Sequence, residues 1–152
     1  MNTTKNEHAS EVLNDLLKIN NDRITGYRKA SDETKESDLK TIFRKMETES
    51  EILATTLTKE VAKLGANPET GATTNSGKIY RLWMNVKATF SGHDRKSILN
   101  ACEFGEDAAQ KAYRDALDDQ QLPAGIKTII RLQKDQLKLA HDTIKSLRDR
   151  AN

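Results

Sequence analysis

The sequence predicts an all-α bundle of four long helices, paired as two antiparallel hairpins joined by a long crossover. Apolar residues recur at alternating steps of three and four in four separate stretches, the seam pattern of a bundle helix. Composition agrees, since 32% charged and only 5% aromatic residues, with seven glycines and two prolines, favour helices over sheets. Breakers fall in a short–long–short order, which sets the pairing of the helices.

The first helix is expected over about residues 7–29. Val12, Leu13, Leu16, Leu17, Ile24 and Tyr27 form its apolar stripe, and positions 13, 17, 20, 24 and 27 form the seam. Gly26 costs roughly 1 kcal/mol relative to Ala inside a helix, and it leaves room for close helix approach beside Tyr27. Ser31-Asp32-Glu33 reads as a short turn, with Ser31 or Asp32 capping the second helix. That helix spans about 33–63, its seam being Leu39, Phe43, Met46, Ser50, Leu53, Leu57 and Leu64. It stops at Leu64-Gly65, where glycine suits the C-terminal cap.

Residues 66–77, with Pro68, Gly71 and a run of Thr, Asn and Ser, make the one long polar interruption. A crossover helix is expected over about 78–90, carrying Tyr80, Leu82, Trp83, Val86 and Phe90. After Ser91-Gly92 the third helix runs over about 94–117, with Ser91 or Asp94 as its cap. Its seam is Leu99, Cys102, Glu106, Ala109, Tyr113 and Ala116. A tight turn from Asp118 to Leu122 leads to Pro123 in the first turn of the fourth helix, where a missing N–H costs nothing. This helix, about 123–150, runs through Ile126, Ile130, Gln133, Leu137, Ala140, Ile144 and Leu147.

Short turns make the first and second helices antiparallel, and likewise the third and fourth. At 1.5 Å per residue, a ~13-residue crossover helix covers about 20 Å, so the third helix can start from the other end of the bundle. Two hairpins joined by one long crossover form the ferritin-like arrangement, here a single domain over residues 1–152.

Net charge of +2 with interspersed signs argues against a general nucleic-acid binder. A single cysteine, Cys102, excludes an intramolecular disulfide framework and fits a reducing compartment. The first residues lack the apolar centre of a signal peptide. No run approaches the roughly 18 apolar residues of a membrane span. The expectation is therefore a cytoplasmic protein.

One polar residue interrupts each seam: Asn20, Ser50, Glu106 and Gln133. Di-iron carboxylate bundles place their ligands at such a level, with a Glu from each of two helices and a Glu-x-x-His pair from each of the others. Here only Glu106 is a carboxylate, so a hydrogen-bonded structural layer is favoured over a metal centre. Such a buried carboxyl must be protonated, hydrogen-bonded or metal-bound.

A reduced metal site would use Glu103, Glu106 and His141, with His141 reaching Glu103 across the hairpin. No cofactor is expected; iron or manganese is the alternative. His8 and His93 lie near helix starts and should be exposed, and no two histidines share metal-ligand spacing. Cys102 on an apolar seam reads as an inert thiol. Nothing resembles a phosphate loop, a serine elbow or a CxxC motif, so no catalytic residues are assigned. The crossover offers an interaction surface around Trp83, Arg81 and Lys87. Packing of this helix on its own bundle is the favoured reading; the alternative is a surface for a homodimer or another protein partner, with a membrane surface less favoured.

Several stretches resemble an uncharacterised bacterial ferritin-like four-helix-bundle family, a domain of unknown function. They are Leu13-Asn-Asp-Leu-Leu with Asn21-Asp22 and Gly26-Tyr27, and Cys102-Glu-Phe-Gly-Glu-Asp-Ala-Ala with Ala112-Tyr113. Leu122-Pro123-Ala124, Ala140-His-Asp and Leu147-Arg-Asp complete the resemblance, which covers about Glu7 to Arg150. It implies the fold, an ancestral metal layer and a stress-related role. Asn20, Ser50 and Gln133 depart from the ferritin ligand set. Together these readings give a non-enzymatic protein working through its helix surfaces.

Overall fold

The seams of the sequence become the buried faces of four helices. The computed structural model describes residues 3–72 and 95–151. It contains α1 (Thr3–Glu33), α2 (Ser37–Lys63), α3 (Arg95–Leu117) and α4 (Ala124–Arg150). Among the described residues every regular element is helical. The expected crossover helix over 78–90, its surface at Trp83, Arg81 and Lys87, His93, and the Ser91 and Asp94 caps lie outside the described residues.

α1 packs on α2, α3 on α4, and α1 on α3. His8 near the start of α1 meets Asp119 just past the end of α3, with Nε2 2.5 Å from Oδ2. At the other end Arg95, opening α3, pairs with Glu36 and Asp38 at the start of α2, each at 3.0 Å. Hence α1 and α3 are antiparallel, α2 and α3 parallel, and the chain must return along the bundle between them. The first part of that return is tied to α1. Asn14 Nδ2 donates to the Asn67 carbonyl (3.2 Å), and Glu69 N–H donates to Asn14 Oδ1 (3.0 Å). Lys18 pairs with Glu69 (3.1 Å), and Asn21 Nδ2 donates to the Ala72 carbonyl (2.7 Å).

The core divides into two apolar clusters. One gathers Leu13, Leu17, Leu53, Leu57, Ala109, Tyr113, Ile130 and Leu137. The other gathers Tyr27, Leu39, Phe43, Met46, Leu99, Cys102, Ala140 and Ile144. Each large aliphatic chain so buried contributes about 1.5–3 kcal/mol. Between the clusters α1 contributes Asn20, Asp22 and Arg23, α2 Ser50 and α3 Glu106, all without solvent contact.

The turns differ from expectation in three places. α1 continues through Ser31 and Asp32, so neither caps α2; the N-cap is Glu36, without a side-chain cap bond. Ser31 is buried and its carbonyl takes a bond from Lys40 Nζ (2.9 Å). The turn is made instead by Thr34, whose N–H bonds the Ala30 carbonyl (3.0 Å) and whose Oγ1 accepts from Glu36 N–H (3.2 Å). Leu64 is the C-cap of α2, and Val61 takes the seam position expected of it. Pro123 is the N-cap of α4 rather than part of its first turn. Gly65 at φ +81° ends α2 as expected. Its N–H bonds Ala62 O (3.0 Å) while Ala66 N–H bonds Val61 O (3.3 Å), the double closure of a Schellman motif.

Candidate functional site

Asn20, Arg23 and Tyr27 are spaced by three and four on α1 and therefore share one face. All three are fully buried. The seam spacing points to Ile24 at this position, but Ile24 is only half-buried and Arg23 takes the interior place. The Arg23 side chain crosses the bundle interior to Glu106. Its Nε donates to Oε1 (3.2 Å) and its Nη2 to Oε2 (2.5 Å), a bidentate pair. Its Nη1 donates to Ser50 Oγ of α2. The Tyr27 hydroxyl donates to Glu106 Oε2, and the guanidinium carbon stands 5.2 Å from the Tyr27 ring centroid. Tyr27 is itself held by Phe43, with ring centroids 5.8 Å apart.

A second tier adjoins this one. Asn20 Nδ2 donates to the Tyr113 hydroxyl (2.8 Å) and to the Leu16 carbonyl (2.9 Å). The Tyr113 hydroxyl donates to Gln133 Oε1 (2.7 Å), and Gln133 Nε2 donates to the Leu53 carbonyl (3.2 Å). Thus Asn20, Ser50, Glu106 and Gln133 are all buried, as expected of one polar level, but they divide between two adjacent networks. Asn20 Oδ1 has no hydrogen-bond partner among the described residues. Asp22, one residue before Arg23, is also completely buried.

The electrostatics follow from this geometry. Burial alone would lower the proton affinity of Arg23, but Glu106 beside it outweighs burial and holds it above its ordinary value. Burial, and then the charge of Glu106, push the Tyr27 hydroxyl well above its usual range, so it is a donor at neutral pH. Burial raises Tyr113 as well. Charge within the Arg23–Glu106 pair sums to zero, and a buried pair is retained only with such geometry and extra hydrogen bonds.

The three candidate metal ligands go to different partners. Both Glu106 oxygens serve Arg23 and Tyr27. Glu103 pairs with Arg148, leaving its buried Oε2 without a hydrogen bond among the described residues. His141 meets Asp107 (Nε2–Oδ1 2.6 Å) and Asp142 (Nδ1–Oδ1 3.1 Å) in place of the expected Glu103. Among the described residues no three His, Cys, Asp or Glu side chains gather as a metal site. Two iron ions need several anionic oxygens, and this donor set does not fit them. His8, expected to be exposed, is instead partly buried against Asp119. Cys102 is buried, as its seam position implied.

Residues 8–119 match a family model described as a domain of unknown function, DUF2383. Among curated proteins no sequence matches. A solved structure of a Mycobacterium smegmatis Dps1 mutant is similar in fold, with a TM-score of 0.79 and 12% identity. The match covers 97% of this chain and 99% of that one. The fold is that of a ferritin-like four-helix bundle.

Proposed function

Since the chain belongs to the DUF2383 family, whose fold gives a scaffold without naming an activity, we propose that it is a non-enzymatic bundle protein without a metal cofactor, working through helix-surface contacts. The observation that carries this reading is the engagement of Glu106. The one carboxylate among the four seam positions of the polar level spends both oxygens on Arg23 and Tyr27. The layer is also sealed, since Asn20, Arg23, Tyr27, Ser50 and Glu106 are all 0% exposed and no substrate touches them without unfolding.

Contacts are then left to the outer faces. Phe104, Ile52, Leu132 and Leu139 are exposed there, the last at 70%. Among the described residues no helix is long and apolar enough to cross a membrane. The single, buried Cys102 fits a reducing compartment, and the proposal places the protein in the cytoplasm.

Metal analysis of protein purified without chelator, followed by iron and manganese titration, tests the reading. Substoichiometric metal is the expected result. Stoichiometric metal that disappears in Glu106→Ala would overturn it. For the contact role, Trp83→Ala is expected to alter oligomer mass in light scattering or capture of a protein partner. Unchanged mass and capture would remove the crossover as the contact surface.

A further inference from the structure

We infer that Arg23 is the bundle's built-in central cation, and that the cage it fills is a site for a planar nitrogen cation of the guanidinium class. This deepens the proposed reading of a metal-free layer and rests on it. Ferritin-like di-iron bundles direct carboxylates and imidazoles inward from four helices at this level. Here three helices converge on a guanidinium instead. Glu106 of α3 takes two parallel N–H donors along one edge, and Ser50 of α2 takes a third. The Tyr27 ring of α1 lies 5.2 Å from the guanidinium carbon, while its hydroxyl braces the same carboxylate.

Fork-on-carboxylate geometry and an aromatic neighbour recognise a flat, delocalised cation. They suit a divalent metal poorly, because the cage supplies one negative charge, one alcohol and one phenol held protonated by burial. Both ions of the pair are at most 1% exposed. Removing the side chain of Arg23 therefore leaves an uncompensated carboxylate beside a cavity of guanidinium shape. Free guanidinium should enter that cavity and restore what the tether provided.

The test compares wild type, Arg23→Ala and Arg23→Ala/Glu106→Gln by thermal melting with a metal chelator present. The probe is guanidinium chloride from 0 to about 20 mM, far below denaturing concentrations, against sodium chloride of equal ionic strength. Arg23→Ala is expected to melt lower than wild type and to gain several degrees with guanidinium. Wild type and the double variant are expected to gain nothing. Equal shifts in all three proteins, or none in Arg23→Ala, overturn the inference. So does a larger shift of Arg23→Ala with manganese in a chelator-free series. Should Arg23→Ala be insoluble, refolding from urea decides the same question: recovery only with guanidinium supports the inference, and no recovery overturns it. Metal bound by the wild-type chain would defeat the proposed function instead, and the chelated guanidinium series would still read the cage.

Discussion

Replacing Glu106 by Gln keeps the side chain's size and removes its charge, so it isolates what the carboxylate does for Arg23. In the folded protein Arg23 would remain buried with a neutral partner in place of the carboxylate, its side chain being 1% exposed. Breaking one partner of a buried pair costs about 3–5 kcal/mol. For a domain of this size each kcal/mol lowers the melting temperature by roughly 2–4 °C, so a fall of roughly 6–20 °C is expected in two-state melts followed by circular dichroism. The urea midpoint should fall with little change in slope. The double replacement Arg23→Met/Glu106→Leu should recover most of the loss, because apolar residues of similar volume often match or exceed a buried pair. Added salt should change the cost little, as screening acts weakly on buried charges. A loss for Glu106→Gln below about 1 kcal/mol, the range of solvent-exposed pairs, would refute the reasoning. So would a double variant no more stable than the single one.

Tyr113→Phe should cost about 1–3 kcal/mol by urea titration, because the lost hydroxyl bridges the buried Asn20 and Gln133 amides; a neutral result would mean that the amides find each other directly. Gly65→Ala should cost about 1 kcal/mol from backbone strain alone, since φ is +81° and nothing lies within 4 Å of an added Cβ. Burial opposes the charge of His141, but Asp142 and Asp107 outweigh it and raise its pKa above 6.5. The stabilisation from its cationic form is therefore full below the unfolded value and lost as pH rises through the folded one. Proton NMR should put the His141 midpoint above 6.5, and His141→Gln should matter more at acidic than at alkaline pH. A midpoint at or below 6.5 contradicts this.

Periodicity made most of the fold legible. Leu39, Phe43, Met46, Ser50, Leu53 and Leu57 on α2 are all buried, as are Leu99, Cys102, Glu106, Ala109, Tyr113 and Ala116 on α3. A seam follows directly from spacing, because burying one helical face is the dominant gain. The centre is half legible: spacing gives the polar level and desolvation gives Glu106 its need of a partner, but neither singles out Arg23 as that partner. Positions 23 and 24 both satisfy a three-and-four rhythm between 20 and 27. Choosing the isoleucine follows hydropathy, whereas the interior demand of Glu106 selects the arginine. The available signal was charge balance, as a carboxylate on one seam calls for a cation on another.

Local signals also misled at the first turn. Ser31 and Asp32 have capping side chains, yet α1 runs on because Ser31 is buried and its carbonyl is taken by Lys40. Tertiary packing outweighed a local preference there. Helix spacing gives the level of His141 and not its rotamer, so it does not separate Glu103 from the carboxylates His141 actually meets. The nearer carboxylates Asp107 and Asp142 take the imidazole, while Arg148 takes Glu103.

The division of the Arg23–Glu106 pair between hairpins bears on how the two halves of the chain find each other. One hairpin carries Arg23 and Ser50, the other carries Glu106, so the Arg23–Glu106 pair forms only when the two halves dock. Apolar seams tolerate sliding, since leucine against leucine fits at more than one level. A slip of one turn, 5.4 Å, would set Arg23 against Cys102 or Ala109 and leave Glu106 without its fork. The ion pair therefore acts as an address: it penalises mismatched docking of the hairpins far more than it rewards the correct one.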